Sequence, residues 1–179
     1  MPVLAYFITF TTYGTWLHGR ESGSVDRQHN EVGTPVLAGN TLREDFVRNR
    51  LAEQPYLLDA ARRRTVLATI QDVLRHRGWH LWAVHVRSNH VHLVVTAEAK
   101  PEKVMSDVKA WCSRRLSEGH LEGDRTRWTQ HGSTRYLTTE EAFQEVVRYV
   151  IAGQGESMAL AYDASLSSFL GRTRDEPEA

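Results

Sequence analysis

Residues 79–96, WHLWAVHVRSNHVHLVVT, hold two runs of apolar residues on either side of Ser88 and Asn89. The first run alternates, with Leu81 and Ala83 expected on one side of a strand, and the second is rich in valine, which favours β-structure. Ser and Asn are common in tight turns. The stretch therefore predicts a β-hairpin, and the elements around it determine the fold.

Two strands and three helices are predicted outside the hairpin. Residues 3–13 are rich in β-branched and aromatic side chains, and residues 127–137 form a loop that leads into a short strand. Apolar residues recur at helical spacing in 59–78, 101–119 and 138–153. This order predicts an α+β fold, a ferredoxin-like split β-α-β antiparallel sheet with a C-terminal helix that carries the tyrosine of the last apolar segment.

The ends of the helices carry capping signals. Asp59 is expected to cap the first helix, and Gly78 is expected to end it. Thr138 and Glu141 have the T-x-x-E spacing of a capping box at the start of the third helix. In the second helix, Trp111 is expected on the apolar side. These signals set the expected helix boundaries.

The length of 179 residues is typical of one domain. We expect a single domain over residues 1–162, within which the non-periodic, glycine-containing segment 14–58 is a long insertion or loop. The charged tail, residues 163–179, is expected to be disordered. One folded unit is thus expected to carry the function.

The composition excludes several classes of protein. The 41% hydrophobic and 25% charged content is that of an ordinary globular domain, and no apolar run reaches the ~18 residues of a membrane-spanning helix. Cys112 is the single cysteine, which excludes an internal disulfide and a multi-cysteine zinc site. The N-terminus lacks the basic start and cleavage site of a signal peptide. We therefore expect a cytoplasmic protein without membrane contact.

The charges of the chain are balanced overall but unevenly distributed. The 22 basic and 22 acidic residues cancel, which is a mild argument against nucleic-acid binding. Residues 100–136 contain eight basic and five acidic residues, however, and residues 137–179 contain three and eight. A local basic face is therefore compatible with the sequence.

His90 and His92 lie one residue apart on the second strand of the hairpin. Residues i and i+2 of a strand project from the same face, so the two imidazoles are expected side by side, as a chelating pair requires. Imidazole nitrogen with an amide or carboxylate oxygen suits Mg²⁺ or Mn²⁺ better than a structural zinc. The alternative is two partly exposed histidines without a ligand. His80 and His85 are interpreted as surface or core residues.

The third helix ends in RYVIAGQG, residues 148–155. Two histidines make an incomplete metal site, so this segment is the candidate source of a further ligand and a nucleophile. Tyr149 lies at the edge of the apolar stripe of the helix, and Gln154 follows five residues later. Taken alone, Tyr149 is a packing residue with a solvated hydroxyl.

Four segments together resemble the single-tyrosine HUH transposases, in particular the REP-associated tyrosine transposases and other insertion-sequence-200-like enzymes. They are VRSNHVHLVV (86–95), KAWCSRRL (109–116), RWTQHGSTRYL (127–137) and YVIAGQG (149–155). The resemblance spans roughly residues 5–155. It implies a ferredoxin-like core, in agreement with the order of predicted elements.

The resemblance implies a metal-dependent DNA strand transferase. His90 and His92 hold a divalent ion, Mg²⁺ or Mn²⁺, and Tyr149 attacks the scissile phosphate to give a 5′-phosphotyrosine link and a free 3′-hydroxyl. Gln154 is similar to the third ligand of the family, although related enzymes place it four residues after the tyrosine. Gly153 either breaks the helix and re-aims Gln154 or leaves it outside the metal site.

The resemblance also implies single-stranded DNA as the partner, commonly as a hairpin-forming repeat. The candidate phosphate contacts are Lys109, Arg114, Arg115 and Arg135. Trp111 and Trp128 are candidate stacking surfaces, although the place of Trp111 on the apolar side of its helix favours a packing role. His131 either touches the scissile region or caps a turn. The relatives act as monomers or as homodimers that exchange the tyrosine, so both states stay open.

Three functions are compatible with these residues. The first is the strand transferase described above. The second is a catalytically silent nucleic-acid-binding module on the same fold, and the third is a metal-dependent phosphohydrolase that uses activated water. The presence of His90, His92 and Tyr149 favours an enzyme, because binding alone requires none of them.

Overall fold

The computed structural model describes residues 2–15, 53–120 and 123–167. The strands are β1 (Ala5–Thr11), β2 (His80–Val86), β3 (His90–Thr96), β4 (Ser133–Leu137) and β5 (Ala159–Tyr162). The helices are α1 (Ala60–Arg77), α2 (Pro101–His120) and α3 (Glu140–Ala152), and a 3-10 turn spans Ala164–Leu166. The strands form one antiparallel sheet in the order β4-β1-β3-β2-β5. The predicted α+β, ferredoxin-like fold is confirmed, with β5 as an additional edge strand.

Helices cover both faces of the sheet. On one face, α1 and α2 pack on a core that includes Ile8, Phe10, Leu93 and Val95. On the other face, α3 packs on a smaller core; its members include Ala5, Ala83, Val94, Leu137, Phe143, Val146, Val147 and Val150. Because α3 lies on the face opposite to α1 and α2, even-numbered residues of β3 point toward α3.

The strand register aligns five side chains, one from each strand, in a row across the sheet. Ser133 pairs with Thr9, Thr9 with His92, His92 with His85, and His85 with Leu160. Directly paired residues of antiparallel strands project from the same face, which here is the face covered by α3. We call this set the histidine row. It places residues from all five strands beside the last helix.

The strict alternation predicted for β2 is wrong, because the strand contains a β-bulge. The register shifts between Leu81, which pairs with Val95, and Ala83, which pairs with Val94. Leu81 and Ala83 therefore point to opposite faces, whereas strict alternation predicts the same face. An extra residue on one strand of a pair is the defining feature of a bulge, and it is invisible to a period-of-two pattern.

Most of the predicted helix ends are confirmed. The Asp59 carboxylate accepts the amide N–H of Arg62 at 2.8 Å, and Gly78 ends α1 with a φ of 69°, a left-handed conformation that favours glycine. The N-cap of α3 is Thr139, whose hydroxyl accepts the amide N–H of Ala142 at 3.2 Å. The prediction of a capping box from Thr138 is thus wrong by one residue.

The described parts of the segments flanking the sheet are more ordered than the sequence predicts. Tyr56 and Leu58, at the end of segment 14–58, are 2% and 1% exposed and belong to the α1/α2 core. Leu166, beyond residue 162, is buried in the smaller core. Residues 16–52 and 168–179 lie outside the described part of the chain. No helix in the described ranges has the length and apolar character needed to cross a membrane.

Candidate active site

The two histidines of β3 lie side by side, as the sequence predicts. Their ring centroids are 4.7 Å apart, and the ring planes are inclined at 71°. His92 is buried and His90 is partly exposed, so the pair lies at the border between the core under α3 and solvent. This position leaves the pair accessible to a ligand from one side.

Each imidazole is oriented by a hydrogen bond at Nδ1. Nδ1 of His90 lies 2.7 Å from the amide oxygen Oδ1 of Asn89, and Nδ1 of His92 lies 2.8 Å from the hydroxyl of Thr9. Because an amide oxygen can only accept, His90 is protonated at Nδ1 and carries a lone pair on Nε2. Metal-binding histidines are commonly oriented in this way, by a polar partner on the other ring nitrogen.

The surroundings keep both imidazoles uncharged. Burial, together with the nearness of His90 and His85, lowers the pKa of His92 to about 3. Burial likewise lowers the pKa of His90. Since only the neutral imidazole binds a metal ion, the pair is in the ligating form at neutral pH.

Gln154 completes this cluster because α3 ends early. The amide N–H of Gly153 donates to the carbonyl oxygen of Tyr149 at 2.9 Å, and the helix stops at Ala152. Gln154 therefore lies beyond the helix, where its side chain is near enough to His90 and His92 to counteract part of the lowering of their pKa by burial. The helix thus ends before Gln154, whose role as a metal ligand stays a prediction.

Tyr149 lies against the same pair. Its ring centroid is 5.5 Å from that of His92 and 6.3 Å from that of Phe7, and the side chain is 45% exposed. The Tyr149 ring is thus partly packed on the sheet and partly exposed to solvent. Tyr149, the two histidines and Gln154 thus lie together on the face of the sheet that α3 covers, and we call this group of side chains and the space beside it the cleft.

Arg135 lies on the same sheet face as this cleft, whereas two other predicted DNA contacts do not. Arg135 pairs with Phe7, whose ring contacts those of His92 and Tyr149. The Arg135 side chain is exposed. Arg114 and Arg115 are exposed on α2, across the sheet. The guanidinium of Arg114 lies over the ring of Trp111 at 4.6 Å.

Lys109 and His131 lie at an open cavity of about 360 Å³ between α2 and the loop before β4. The Lys109 ammonium donates to the carbonyl oxygens of Thr129 and His131 at 2.9 and 3.1 Å. Burial lowers the pKa of Lys109 to about 8. The His131 side chain is exposed, and its carbonyl oxygen anchors the loop. Lys109 thus has a structural role, because it holds the loop before β4 against α2.

Of the two tryptophans considered as stacking surfaces, Trp128 is buried and Trp111 is exposed. Trp128 is 8% exposed, packs edge-on against Phe10 at 5.2 Å, and donates its indole N–H to the carbonyl oxygen of Lys109 at 3.1 Å. It is therefore a core residue, which corrects its expected role as a stacking surface. Trp111, expected on the apolar side of α2, is 39% exposed, and Cys112 is buried in its place.

Sequence reasoning missed two residues of β2 and its turn. His85, interpreted as a surface or core residue, is fully buried in the histidine row, and Arg87 donates to the carbonyl oxygen of Glu156 at 2.7 Å. The signal was present in the sequence. If Ser88 and Asn89 form a two-residue turn, counting back from it places His85 opposite His92.

The cluster differs from a site of charged or thiolate ligands. Within the described residues, no group of three or more His, Cys, Asp or Glu side chains could hold a metal ion. The donors that the structure brings together are two imidazoles and one side-chain amide. This set leaves coordination positions for water or for oxygen atoms of a substrate.

Some solved structures resemble this chain at low identity. A REP-associated tyrosine transposase bound to a REP hairpin has 12% identity and a TM-score of 0.46, over 84% of this chain and 67% of that one. A Deinococcus radiodurans R1 protein proposed to be a transposase has 15% identity and a TM-score of 0.42, over 84% and 90%.

Among curated proteins, none matches the chain. A family model does match, over residues 50–152, and its description is "Transposase IS200 like". The matched region is more than half of the chain and contains the β2–β3 hairpin, both histidines of β3 and Tyr149. This chain therefore belongs to the IS200-like transposase family.

Proposed function

We propose that this protein cleaves and rejoins single-stranded DNA beside hairpin-forming repeats, through a covalent 5′-phosphotyrosine intermediate. The observation that carries the proposal is the convergence of Tyr149 with the histidine pair, at 5.5 Å between the Tyr149 and His92 rings. A tyrosine that is 45% exposed beside two uncharged imidazoles is poorly explained by packing alone.

The donor atoms of the cleft fit a divalent cation. His90 and His92 would contribute ring nitrogens, and Gln154 would contribute its amide oxygen. Thr9 and Asn89 already hold the two rings by Nδ1, which is the second layer of contacts that metal sites require. A Mg²⁺ or Mn²⁺ ion bound there would withdraw charge from a non-bridging oxygen of the scissile phosphate.

The chain supplies the nucleophile for the proposed reaction. The phenolic oxygen of Tyr149 forms a bond to phosphorus and loses its proton, while the bond from phosphorus to the 3′-oxygen breaks and that oxygen takes up a proton. The 5′ end of one strand is then linked to Tyr149. Attack of a 3′-hydroxyl on this link releases the tyrosine and joins two strands, so no external energy source is required.

Positive side chains near the cleft support a DNA strand as the substrate. Arg135 is exposed on the face of the sheet that carries the cleft, and the pocket of Lys109 and His131 lies at the adjoining end of β4. Arg114 and Arg115 lie across the sheet, where they would contact a longer or folded substrate. In this arrangement, Arg135 is the phosphate contact that lies nearest to the chemistry.

The proposal is tested with labelled single-stranded hairpins and Mn²⁺ on a denaturing gel. The wild-type protein should form a covalent DNA adduct, and Tyr149→Phe should form none. Tyr136→Phe is the matched control, because Tyr136 is similarly exposed, at 48%, on β4. A silent binding module would retard the DNA without an adduct. A phosphohydrolase using water would cleave without an adduct, and Tyr149→Phe would leave it active.

A further inference from the structure

His85 is a buried residue that the proposed chemistry does not use. Its side chain is fully buried on β2, directly across from His92. Nδ1 lies 3.0 Å from the carbonyl oxygen of Val150, and Nε2 lies 3.1 Å from the amide nitrogen of Met158. The carbonyl accepts and the amide donates, so both bonds form only in the neutral tautomer protonated at Nδ1.

The two partners of His85 bracket the segment that carries the candidate chemistry. Val150 directly follows Tyr149 in the last turn of α3, and Met158 follows Gln154 by four residues. One imidazole thus fixes both ends of the stretch 150–158. Arg87, at the end of the same hairpin strand, adds a third anchor by donating to the carbonyl oxygen of Glu156 at 2.7 Å.

The bond to Val150 also satisfies a helix end. The last carbonyl groups of an α-helix lack partners within the helix, and buried carbonyls without a partner destabilise the structure. His85 provides the N–H for one of them from a neighbouring strand. Its position therefore determines where the end of α3, and with it Tyr149, lies relative to His92.

We propose that His85 is a positioning residue, which ties the end of α3 to the strand beside His92 and so presents Tyr149 and Gln154 to the histidine pair of the same chain. This inference rests on the proposed function. Both ring nitrogens of His85 are engaged with backbone groups, which distinguishes it from a third histidine ligand.

The anchoring also bears on whether Tyr149 acts within its own chain or on a neighbouring copy. For Tyr149 to reach another chain, α3 would have to give up the His85 and Arg87 contacts and expose its apolar side. That side includes Phe143, Val146, Val147 and Val150. We therefore expect Tyr149 to act in cis.

Three substitutions separate the two hydrogen bonds of His85. In His85→Asn, the side-chain amide lies near the former Nδ1 and retains donation to Val150. In His85→Gln, the amide reaches the former Nε2 and retains acceptance from Met158. His85→Leu retains neither. His80→Asn is the matched control, since His80 is an exposed histidine of the same strand.

The first readout is the single-turnover rate of adduct formation at saturating DNA and Mn²⁺. Because a misplacement of about 1 Å costs about 100-fold in rate, we expect a loss of about 100-fold in His85→Leu and recovery to within about tenfold in His85→Asn. The dissociation constant for hairpin DNA should stay within about threefold of wild type, since His85 is buried. Equal rates in all variants, or a loss that follows only the unfolded fraction measured by urea titration, would overturn the positioning role.

The second readout does not depend on activity. In protein carrying 3-fluorotyrosine, the ¹⁹F resonance of Tyr149, assigned by its loss in Tyr149→Phe, should shift in His85→Leu and return in His85→Asn. A wild-type protein that forms no adduct but shows this response would contradict the proposed function and retain the positioning role. An adduct with no response in rate or resonance would contradict the positioning role alone.

Mixing two inactive variants tests action in cis. One variant is Tyr149→Phe, and the other combines His90→Ala with His92→Ala. If Tyr149 serves only its own chain, the mixture forms no adduct beyond that of either variant alone. Adduct formation in the mixture well above that of either variant alone would show that Tyr149 reaches another chain and would overturn this part of the inference.

Discussion

The hydroxyl of Thr9 on β1 lies 2.8 Å from Nδ1 of His92 on the neighbouring strand β3. The contact joins the N-terminal strand to the candidate metal site, and it is made possible by the direct pairing of these two residues. The contact orients the buried, uncharged ring of His92 through Nδ1 and leaves Nε2 as the candidate metal ligand. Thr9 is thus a support for His92 that lies outside the region matched by the family model.

Replacing Thr9 by valine should weaken metal binding. Valine keeps the β-branched shape but removes the hydroxyl, and loss of such a supporting contact commonly costs about tenfold or more in metal affinity. Mn²⁺ titration by calorimetry measures the effect. Thr11→Val is the control, because the Thr11 hydroxyl bonds to that of Thr129 at 3.1 Å instead of to a histidine. Equal Mn²⁺ affinity in the two variants would contradict the role of Thr9.

Gly153→Ala should displace Tyr149. A methyl group at Gly153 would lie 2.8 Å from the carbonyl oxygen of Tyr149 and 3.0 Å from Cδ2 of its ring, closer than side chains normally approach. We expect the rate of adduct formation to fall by about 10- to 100-fold, because small displacements of reacting groups are costly. Gly155→Ala is no suitable control, since Gly155 has a φ of 71°.

Gly119→Ala provides the control for that experiment, because a methyl group at Gly119 on α2 would meet nothing within 4 Å. Rates are compared at saturating DNA after correction for the folded fraction. If Gly153→Ala reacts as fast as wild type, the close packing of residue 153 on Tyr149 has no part in placing the nucleophile.

Arg135→Gln should weaken DNA binding through a phosphate contact. Each phosphate neutralised by a basic residue of the protein adds roughly 0.7 to the slope of log affinity against log salt for single strands, so the slope should decrease by about that amount. Fluorescence anisotropy at several salt concentrations measures it. Arg114→Gln, on the opposite side of the sheet, should change the slope less for a short strand that spans only the cleft. A larger change in slope for Arg114→Gln than for Arg135→Gln would place the DNA on α2.

Lys109 should make the free energy of unfolding of the protein increase at alkaline pH. Burial lowers its pKa to about 8 in the folded state, compared with 10.5 for an unperturbed lysine. Between these two pH values the unfolded chain binds the proton and the folded chain does not, so the free energy of unfolding should rise with pH through this window. Because the side chain is partly exposed and its electrostatics are screened by solvent, the expected gain relative to Lys109→Met is only about 1 to 2 kcal/mol.

Urea titrations of the wild type and of Lys109→Met at pH 7.5 and pH 10 measure this difference. Subtracting the two proteins removes the contribution of other titrating groups. Lys109→Met should lose the alkaline gain and should also be less stable at pH 7.5, because the carbonyl oxygens of Thr129 and His131 lose their donor. Parallel pH profiles for the two proteins would show that Lys109 is not perturbed.

The elements that the sequence predicts correctly are those with a strong local signal. The turn at Ser88 and Asn89, the caps at Asp59 and Gly78, and the common face of His90 and His92 all follow from spacings of a few residues, and all are confirmed. Such features depend on local sterics and hydrogen bonding, which act within one element. The proximity of Tyr149 to the histidines came instead from the family resemblance.

The features that the sequence does not predict depend on tertiary contacts. The bulge between Leu81 and Ala83 follows from pairing with β3, and Trp128 is buried because the loop before β4 packs under α2. The small strand β5 is fixed by pairing with β2, and its four residues carry little pattern of their own. His85 is the exception, since its position opposite His92 follows from the turn.

The most direct test of the account is to identify the residue that becomes attached to DNA. The wild-type protein is incubated with a pool of labelled single-stranded hairpins and Mn²⁺, and the covalent product is digested and mapped by mass spectrometry. We predict one modified peptide, with the 5′-phosphate of the DNA on Tyr149. Attachment at another residue, or strand cleavage with no attached DNA at all, would contradict the central claim.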